Sequence, residues 1–244
     1  MNKIIIMGAS SGIGLALAEA FVSRGVKIGV AARSLAPLRK LADKYPGCVE
    51  PAAMDVTDPE APEHLSSLIN KMGGMDLYIH VAGIGLRNPD MVPELEVKVA
   101  ETDAVGLARM CSAAFRYFMD TGCPGQIAAV TSVAGTRGIG ELAAYSASKS
   151  FGSTYLEALQ QLAKNKGMPL YITDIRPGWT RTPFVDPDKK YMLEMQLSRV
   201  VPGILKAIAK RRRVAVIDWR WALVCHVWRL LPRSLWLRFH GLGL

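Results

Sequence analysis

The chain has 244 residues, of which half are apolar and 21% are charged, with 22 glycines and 14 prolines spread along it. This composition excludes an intrinsically disordered chain and a collagen-like fibre, and one α/β domain accounts for the whole length. The formal net charge is +9, and +6 of it lies in the last 34 residues. The excess of positive charge is therefore mainly a property of the C-terminal segment.

The cysteines give no sign of disulfides or of a metal site. Cys48, Cys111, Cys123 and Cys225 have no C-x-x-C spacing and form no pattern of metal ligands with the histidines. The first apolar run, residues 4–7, is shorter than the core of a signal peptide and leads into a glycine-rich turn. We therefore expect a reducing compartment, a cytoplasmic location and no bound metal.

Apolar runs alternate along the chain with stretches of helical periodicity. The runs predict seven strands, over residues 3–8, 26–32, 49–54, 77–82, 126–132, 170–175 and 214–217. Helices are predicted over residues 13–24, 59–72, 93–119, 144–166 and 202–210, with six in all between the seven strands. Strands that alternate with helices form parallel sheets through right-handed crossovers. The sequence thus predicts an α/β fold, a Rossmann-like, doubly wound, seven-stranded parallel sheet in three α/β/α layers.

A glycine-rich turn, Gly8-Ala9-Ser10-Ser11-Gly12-Ile13-Gly14, lies between the first strand and the first helix. Glycines at this place allow a tight turn and let the backbone approach a pyrophosphate over a helix N-terminus. A turn that serves packing alone is the other interpretation of such a segment. Its position between strand and helix favours dinucleotide binding.

The spacing G-x-x-x-G-x-G with two serines inside it resembles the short-chain dehydrogenase/reductase family. Three further segments resemble that family in the same order: Asp55-Val56, Tyr145-Ser-Ala-Ser-Lys149 with Ser132 thirteen residues before it, and Arg176-Pro-Gly-Trp-Thr-Arg-Thr182. The resemblance implies a catalytic domain over residues 1–217, followed by an extension over 218–244. It also implies a cofactor site formed by Gly8, Ser10, Ser11, Gly12, Ile13, Gly14, Arg33, Ser34, Asp55, Val56, Ala82, Gly83, Tyr145, Lys149, Pro177, Gly178, Thr180 and Thr182.

Three residues form the predicted catalytic group. Tyr145 and Lys149 are one helical turn apart, so the Lys149 ammonium can stand near the phenol and stabilise its ionised form. Tyr145 can then act as general acid in the reduction of a carbonyl group and as base in the reverse direction, while Ser132 hydrogen-bonds the same oxygen. The family resemblance further implies that Lys149 binds the nicotinamide ribose and passes protons through a water chain.

The choice of cofactor depends on the end of the second strand. An acidic residue there binds the ribose 2′-OH, whereas an arginine accommodates a 2′-phosphate. The sequence has Arg33 followed by Ser34 at this place, and a guanidinium offers several donors to phosphate oxygens. We therefore predict NADP(H) rather than NAD(H), with a solvated surface arginine as the alternative for Arg33.

Two segments depart from the family pattern. His80-Val81-Ala82-Gly83 stands where the family usually has N-N-A-G, and we favour a core histidine over a catalytic base for His80. Asp103 replaces an asparagine of the long helix. The resemblance implies that this asparagine acts largely through its backbone carbonyl, which holds a water near the lysine, so an aspartate can preserve the role and we include Asp103 among the catalytic residues. A carboxylate added near Lys149 is also expected to shift the pH profile.

The substrate is expected at the carboxyl ends of the strands, in a ring of apolar side chains. Met91, Trp179, Phe184, Tyr191 and Met192 are the candidates for this ring. Ser132, Tyr145, Trp179 and Phe184 are predicted to contact the substrate. For Arg87, Arg137 and Arg181, two roles stay open: binding a substrate carboxylate, or lying solvated at the rim.

The extension over residues 218–244 holds four of the five tryptophans, among leucines and arginines. Its uncharged stretch, Trp221–Trp228, is far shorter than the roughly twenty residues that span a bilayer, and Pro232 divides the segment into two short helices. Tryptophan, leucine and arginine together are typical of an amphipathic helix at a membrane surface. Packing in a dimer or docking on the chain's own core are the alternatives.

These features predict an NADPH-dependent reductase of apolar ketones or aldehydes, lipid-derived ones included. Oxidation of an alcohol by the same site is one alternative, and a non-catalytic cofactor-binding sensor or scaffold is another. Nucleic acid is not expected as a partner, because the basic segment has no groove-reading motif and many leucines. A homo-oligomer, dimer or tetramer, is expected.

Overall fold

A parallel β-sheet forms the centre of the protein in a computed structural model that describes residues 2–182 and 191–238. Within these residues it has seven strands: β1 Lys3–Met7, β2 Lys27–Ala32, β3 Val49–Ala53, β4 Leu77–His80, β5 Gly125–Val130, β6 Leu170–Arg176 and β7 Val214–Val216. Their order is β3-β2-β1-β4-β5-β6-β7, and every neighbouring pair is parallel. The chain winds outward in both directions from β1 and β4, so the predicted doubly wound sheet is confirmed.

Helices cover both faces of the sheet. They are α1 Gly12–Val22, α2 Leu35–Lys44, α3 Ala61–Met72, α4 Pro93–Ala100, α5 Gly106–Thr121, α6 Ala143–Asn165, α7 Leu197–Ala209, α8 Trp219–Leu230 and α9 Arg233–Trp236. Alternate residues of a buried strand point to opposite faces. Accordingly, Ile4 and Ile6 pack with α1, α2, α7 and α8, whereas Ile5 and Met7 pack with α3, α5 and α6. The predicted three-layer arrangement is confirmed.

Three helices differ from the sequence expectation. The helix predicted over residues 93–119 is interrupted by a π-helical turn, Glu101–Val105, between α4 and α5. The helix expected from Pro202 begins at Leu197, because Val200 and Val201 are buried and extend its apolar face before the proline. Helix α2, whose bounds were not predicted, forms the crossover from β2 to β3.

The C-terminal segment packs on the chain's own core with one side of its helices. Pro232 separates α8 from α9, as predicted. Trp221, Trp228 and Trp236 are buried in the same apolar cluster as β1 and β2. In residues 2–182 and 191–238, no helix combines the length and the apolar character needed to cross a membrane.

Candidate active site

The carboxyl ends of the strands open into a cavity of about 520 Å³. Its walls include every residue that the sequence predicted for cofactor binding except Gly14. Ser132 and Trp179 also line it, whereas Phe184 lies outside the described residues. The structure therefore brings motifs that are far apart in the chain to one cavity.

The glycine-rich turn is shaped by contacts that exclude side chains. Gly8 has a φ of +92°, and a Cβ atom there would lie 2.5 Å from the backbone nitrogen of Ala82. Gly14 does not line the cavity; a Cβ on it would lie 2.0 Å from the carbonyl oxygen of Gly8. Gly14 therefore lets α1 pack closely under the turn, and the turn keeps its backbone open toward the cavity. A backbone cradle at a helix N-terminus fits a pyrophosphate.

The predicted catalytic trio meets at this cavity. Tyr145 and Lys149 lie one turn apart on α6, and the Lys149 Nζ atom is 5.4 Å from the centroid of the Tyr145 ring. Ser132 follows β5 and caps a short 3-10 turn, where its Oγ atom accepts a hydrogen bond from the Ala134 N–H at 3.1 Å. Because Oγ is the acceptor in that bond, the Ser132 hydroxyl proton remains available for an oxygen in the cavity.

Lys149 forms a buried ion pair with Asp103. Its Nζ atom is 2.9 Å from Asp103 Oδ2, and the other carboxylate oxygen accepts from the Ile84 N–H at 2.7 Å. Burial by itself would lower the pKa of Lys149, but the attraction of Asp103 and of Tyr145 outweighs it, so the net pKa is raised. Lys149 is therefore an ammonium ion at neutral pH.

Gly83 leaves the space for this pair. A Cβ atom there would lie 2.9 Å from Lys149 Nζ and 3.2 Å from both carboxylate oxygens of Asp103. Asp103 itself is fully buried in the π-helical turn and does not line the cavity. It reaches the site through Lys149, which is the geometry of a positioning residue.

His80 is a core residue. It is fully buried at the end of β4, and its Nδ1 atom lies 3.0 Å from the Tyr78 hydroxyl oxygen. Burial, reinforced by the positive charge of Lys149, lowers the pKa of His80 to about 3. The ring is therefore neutral and a very weak base near neutral pH, which favours the predicted core histidine over a catalytic base.

Arg33 lies at the end of the cavity away from the trio. It follows β2 directly, is exposed and lines the cavity together with Ser34. Asp55 follows β3, and its carboxylate accepts two hydrogen bonds from Thr57, one from the backbone N–H at 2.9 Å and one from the hydroxyl at 2.8 Å. The guanidinium of Arg33 offers several hydrogen-bond donors to an anionic group in the cavity.

Aromatic side chains line the other end. Trp179 and Tyr191 stack with their centroids 4.3 Å apart, and both line the cavity. The expectation that Met91 and Met192 join them is wrong: their side chains lie on exposed loops, 56% and 39% exposed, and are not part of the lining.

The three arginines near the rim are held by groups of the chain itself. Arg87 pairs with Glu141, and Arg181 pairs with Glu194. Arg137 donates to the carbonyl oxygens of Trp228 and Arg229, at 2.8 and 3.3 Å, and also to that of Leu231. These contacts give Arg137 a structural role, because it holds the last turn of α8.

Two tryptophans of the C-terminal segment lie in the cavity wall, where the sequence had not placed them. Trp221 and Trp228 of α8 line it, although the segment was predicted as an extension outside the catalytic domain. A signal was present, because Trp221, Cys225 and Trp228 are four and three residues apart and so lie on one face of a helix. All three are buried.

Comparison with known proteins agrees with the fold and the motifs. The family model described as short chain dehydrogenase matches residues 2–192. An uncharacterized oxidoreductase of Myxococcus xanthus is 32% identical over 238 residues, which cover 95% of this chain and 93% of that protein. The chain therefore belongs to the short-chain dehydrogenase family, which makes it an oxidoreductase of Rossmann-like fold.

Two relatives with named activities are similar over a shorter stretch. The 3-oxoacyl-(acyl-carrier-protein) reductase FabG of Vibrio cholerae is 29% identical over 181 residues, covering 73% of each chain. The crystal structure of a variant of actinorhodin polyketide ketoreductase with NADPH is 26% identical, with a TM-score of 0.68 over 75% of this chain and 72% of that one. Both are named as reductases.

Proposed function

We propose that the protein is an NADPH-dependent reductase that converts an apolar ketone or aldehyde to the alcohol. The observation that carries this proposal is the meeting of Ser132, Tyr145 and Lys149 in one cavity with the glycine-rich turn. Aromatic side chains line the end of this cavity opposite Arg33. The reductases among the relatives support the direction of the reaction.

The residues present fit a dinucleotide. Gly8 and Gly12 hold a backbone cradle that side chains would fill, and the N-terminus of α1 begins there. When bound, a reduced nicotinamide would supply the hydride for the carbonyl carbon. Arg33 and Ser34 would hold the adenosine end and Lys149 the ribose next to the nicotinamide.

The chain's own residues handle the oxygen and its proton. Ser132 donates a hydrogen bond to the carbonyl oxygen and fixes its orientation. As negative charge develops on that oxygen, Tyr145 gives it the phenolic proton, and the Lys149 ammonium stabilises the phenolate left behind. Solvent then returns a proton to Tyr145. The same groups running in reverse would oxidise an alcohol.

The proposal is tested by following NADPH oxidation with a panel of apolar ketones and aldehydes. We expect turnover by the wild type, and a fall in kcat of about 100- to 10,000-fold in Tyr145→Phe, because the general acid is lost. NADPH affinity of that variant should stay within about twofold, because the hydroxyl is the only group removed. Equal turnover by Tyr145→Phe would contradict the role of Tyr145. Tight NADPH binding without turnover of any carbonyl would favour the sensor or scaffold.

A second part of the proposal is that the protein is cytoplasmic and contacts a membrane surface. The exposed side of the C-terminal segment supports this contact. Trp219, Leu223 and Leu230 lie along one face of α8, opposite its buried face, and are 71%, 56% and 71% exposed. Arg220 and Arg229 flank this face, and Arg233 follows on α9. Apolar side chains bordered by arginines suit the interface of an anionic bilayer. In this proposal, an apolar substrate would be drawn from that surface.

A further inference from the structure

Helix α8 contributes to the substrate end of the cavity as well as to the core. Apart from the predicted cofactor residues and the catalytic trio, the residues that line the cavity in the described part of the chain are mostly apolar. The aromatic ones among them are Trp179, Tyr191, Trp221 and Trp228. Arg87 carries the one formal charge in that part of the described lining, and Glu141 pairs with it. A neutral, apolar group is therefore what this end accommodates at least cost in desolvation.

Trp228 is held in a fixed orientation. Its ring contacts Trp236 edge-to-face with centroids 5.3 Å apart, and Trp221 edge-to-face at 6.4 Å. The Trp236 indole N–H in turn donates to the Gly138 carbonyl oxygen at 2.8 Å. Arg137 adds a hydrogen bond at 2.8 Å to the carbonyl oxygen of Trp228 itself. Trp228 is thus a rigid wall and not an adaptable side chain.

Trp221 connects the same helix to the segment beside the cofactor site. Its indole N–H donates to the Leu193 carbonyl oxygen at 3.2 Å, and its ring lies so close to Gly178 that a Cβ atom there would be 2.1 Å from Trp221 Nε1. The position of α8 therefore also fixes the Pro177-Gly178 segment, which lines the cavity near the trio.

We propose that Trp228 determines substrate specificity and that the aromatic end of the cavity selects carbonyl compounds with a flat ring system next to the carbonyl group. Rigid aromatic walls favour a planar apolar group, because such rings pack edge-to-face or offset against one another. Trp228 is 6% exposed, so the edge of its ring, held in place by Trp221 and Trp236, limits which group fits against it. A small or flexible aliphatic carbonyl would leave part of this surface unfilled. The inference rests on the proposed function, since it names the substrate class of that site.

The first measurement is the specificity of three variants at position 228 with NADPH. For 2-acetylnaphthalene we expect kcat/KM to fall about 10- to 100-fold in Trp228→Ala, mainly through KM, and less in Trp228→Phe and Trp228→Leu. For acetone the change should stay within about threefold, because it does not reach the indole. The assays contain no lipid, so the membrane-contact face plays no part in them. Trp219→Ala is then the matched control, since Trp219 is on the same helix but 71% exposed, and it should behave as the wild type for both substrates.

The second measurement needs no turnover and so separates this inference from the proposed function. Binding of 2-acetylnaphthalene to the NADP+ complex is measured by equilibrium dialysis, where no hydride is available. The wild type and Trp219→Ala should bind it alike, and the position 228 variants more weakly. If Trp228→Ala does not fold, judged by its thermal transition, Trp228→Phe and Trp228→Leu decide the outcome. Wild-type affinity for the ring ketone in folded Trp228 variants would overturn the inference, whether or not any carbonyl is reduced.

Discussion

Among single residues, Asp103 is an important departure from the family pattern, which has an asparagine at this position. Its carboxylate forms a buried ion pair with Lys149. The two groups are 2.9 Å apart and almost inaccessible to solvent. Removing one partner of such a pair leaves an uncompensated buried charge, which costs more than the pair itself contributes. Asp103 therefore affects both the stability of the fold and the charge state of Lys149.

We predict that Asp103→Asn lowers the pKa of Lys149, because the burial that opposes the ammonium is then no longer outweighed by a carboxylate. The alkaline limb of the pH profile of kcat/KM should move to lower pH, by about one unit or more. At neutral pH the free energy of unfolding should fall by about 3 kcal/mol. In the wild type, the pKa of Lys149 is higher in the folded protein than in the unfolded chain. The ammonium therefore contributes its full stabilisation at pH values below the unfolded-state pKa, and this contribution is lost as the pH rises through the folded-state pKa.

Asp120→Asn is the matched control for that measurement. Asp120 pairs with Arg116 one turn away on the surface of α5, with both side chains more than half exposed. Exposed pairs contribute little, so neither the pH profile nor the denaturant midpoint should change. Coinciding pH profiles of Asp103→Asn and Asp120→Asn would rule out the positioning role of Asp103.

Arg33 is the residue on which the proposed preference for NADPH depends. In Arg33→Asp, we expect the KM for NADPH to rise by about 10- to 100-fold, because charge-assisted hydrogen bonds to the 2′-phosphate are lost. The KM for NADH should fall or stay constant, since an acidic residue there binds the ribose 2′-OH. Initial rates with each cofactor measure both effects.

Arg39→Asp controls for the change of net charge. Arg39 is an exposed residue of α2 that does not line the cavity, so its replacement should leave the ratio of the two KM values unchanged. An unchanged preference for NADPH in Arg33→Asp would refute the role of Arg33.

At the scale of elements, α8 is apolar on two opposite faces. The face with Trp221 and Trp228 is buried in the core, and the face with Trp219, Leu223 and Leu230 is exposed. A chain ending near Asp218 would remove the buried face together with the exposed one. Loss of membrane binding by such a truncated chain would therefore not distinguish membrane contact from unfolding, whereas substitutions on the exposed face can.

We predict that Leu223→Glu weakens binding to vesicles of phosphatidylcholine and phosphatidylserine roughly tenfold, because it places a carboxylate among apolar side chains at an anionic surface. Flotation of the full chain measures this, and wild-type binding should decrease at high salt and with vesicles of phosphatidylcholine alone. Val97→Glu puts the same charge on an exposed apolar position of α4 and should bind as the wild type. Equal flotation of all three proteins, or flotation of none, would contradict membrane contact.

The helix predicted over residues 93–119 lacked one feature that the structure has, a π-helical turn. The apolar periodicity over residues 93–119 predicted one helix, and the chain is indeed helical throughout. The π-helical turn at 101–105 arises where Asp103 turns inward to Lys149 and to the Ile84 N–H. The family resemblance placed Asp103 near Lys149, but hydrophobic periodicity does not report a bond to a residue 46 positions later in the chain, so the π-helical turn was not predicted.

At the scale of the whole molecule, the site combines parts that are far apart in the sequence. The glycine-rich turn follows β1, Ser132 follows β5, and the trio is completed by α6. Parallel strands place all of their carboxyl ends at one edge of the sheet, which is why these segments meet. The aromatic end comes from Trp179, Tyr191 and α8, so the last part of the chain completes the cavity that the first part begins.

The α/β class, the seven strands and the motifs at the cavity could be predicted from the sequence alone, because these depend on local periodicity and on fixed spacings within one turn or helix. Three outcomes came from tertiary packing: which face of α8 is buried, the direct pairing of Asp103 with Lys149, and the exposure of Met91 outside the cavity lining. Those outcomes depend on which distant surfaces come into contact. A helix with two apolar faces leaves that choice open until a sheet offers a surface for one of them to pack against.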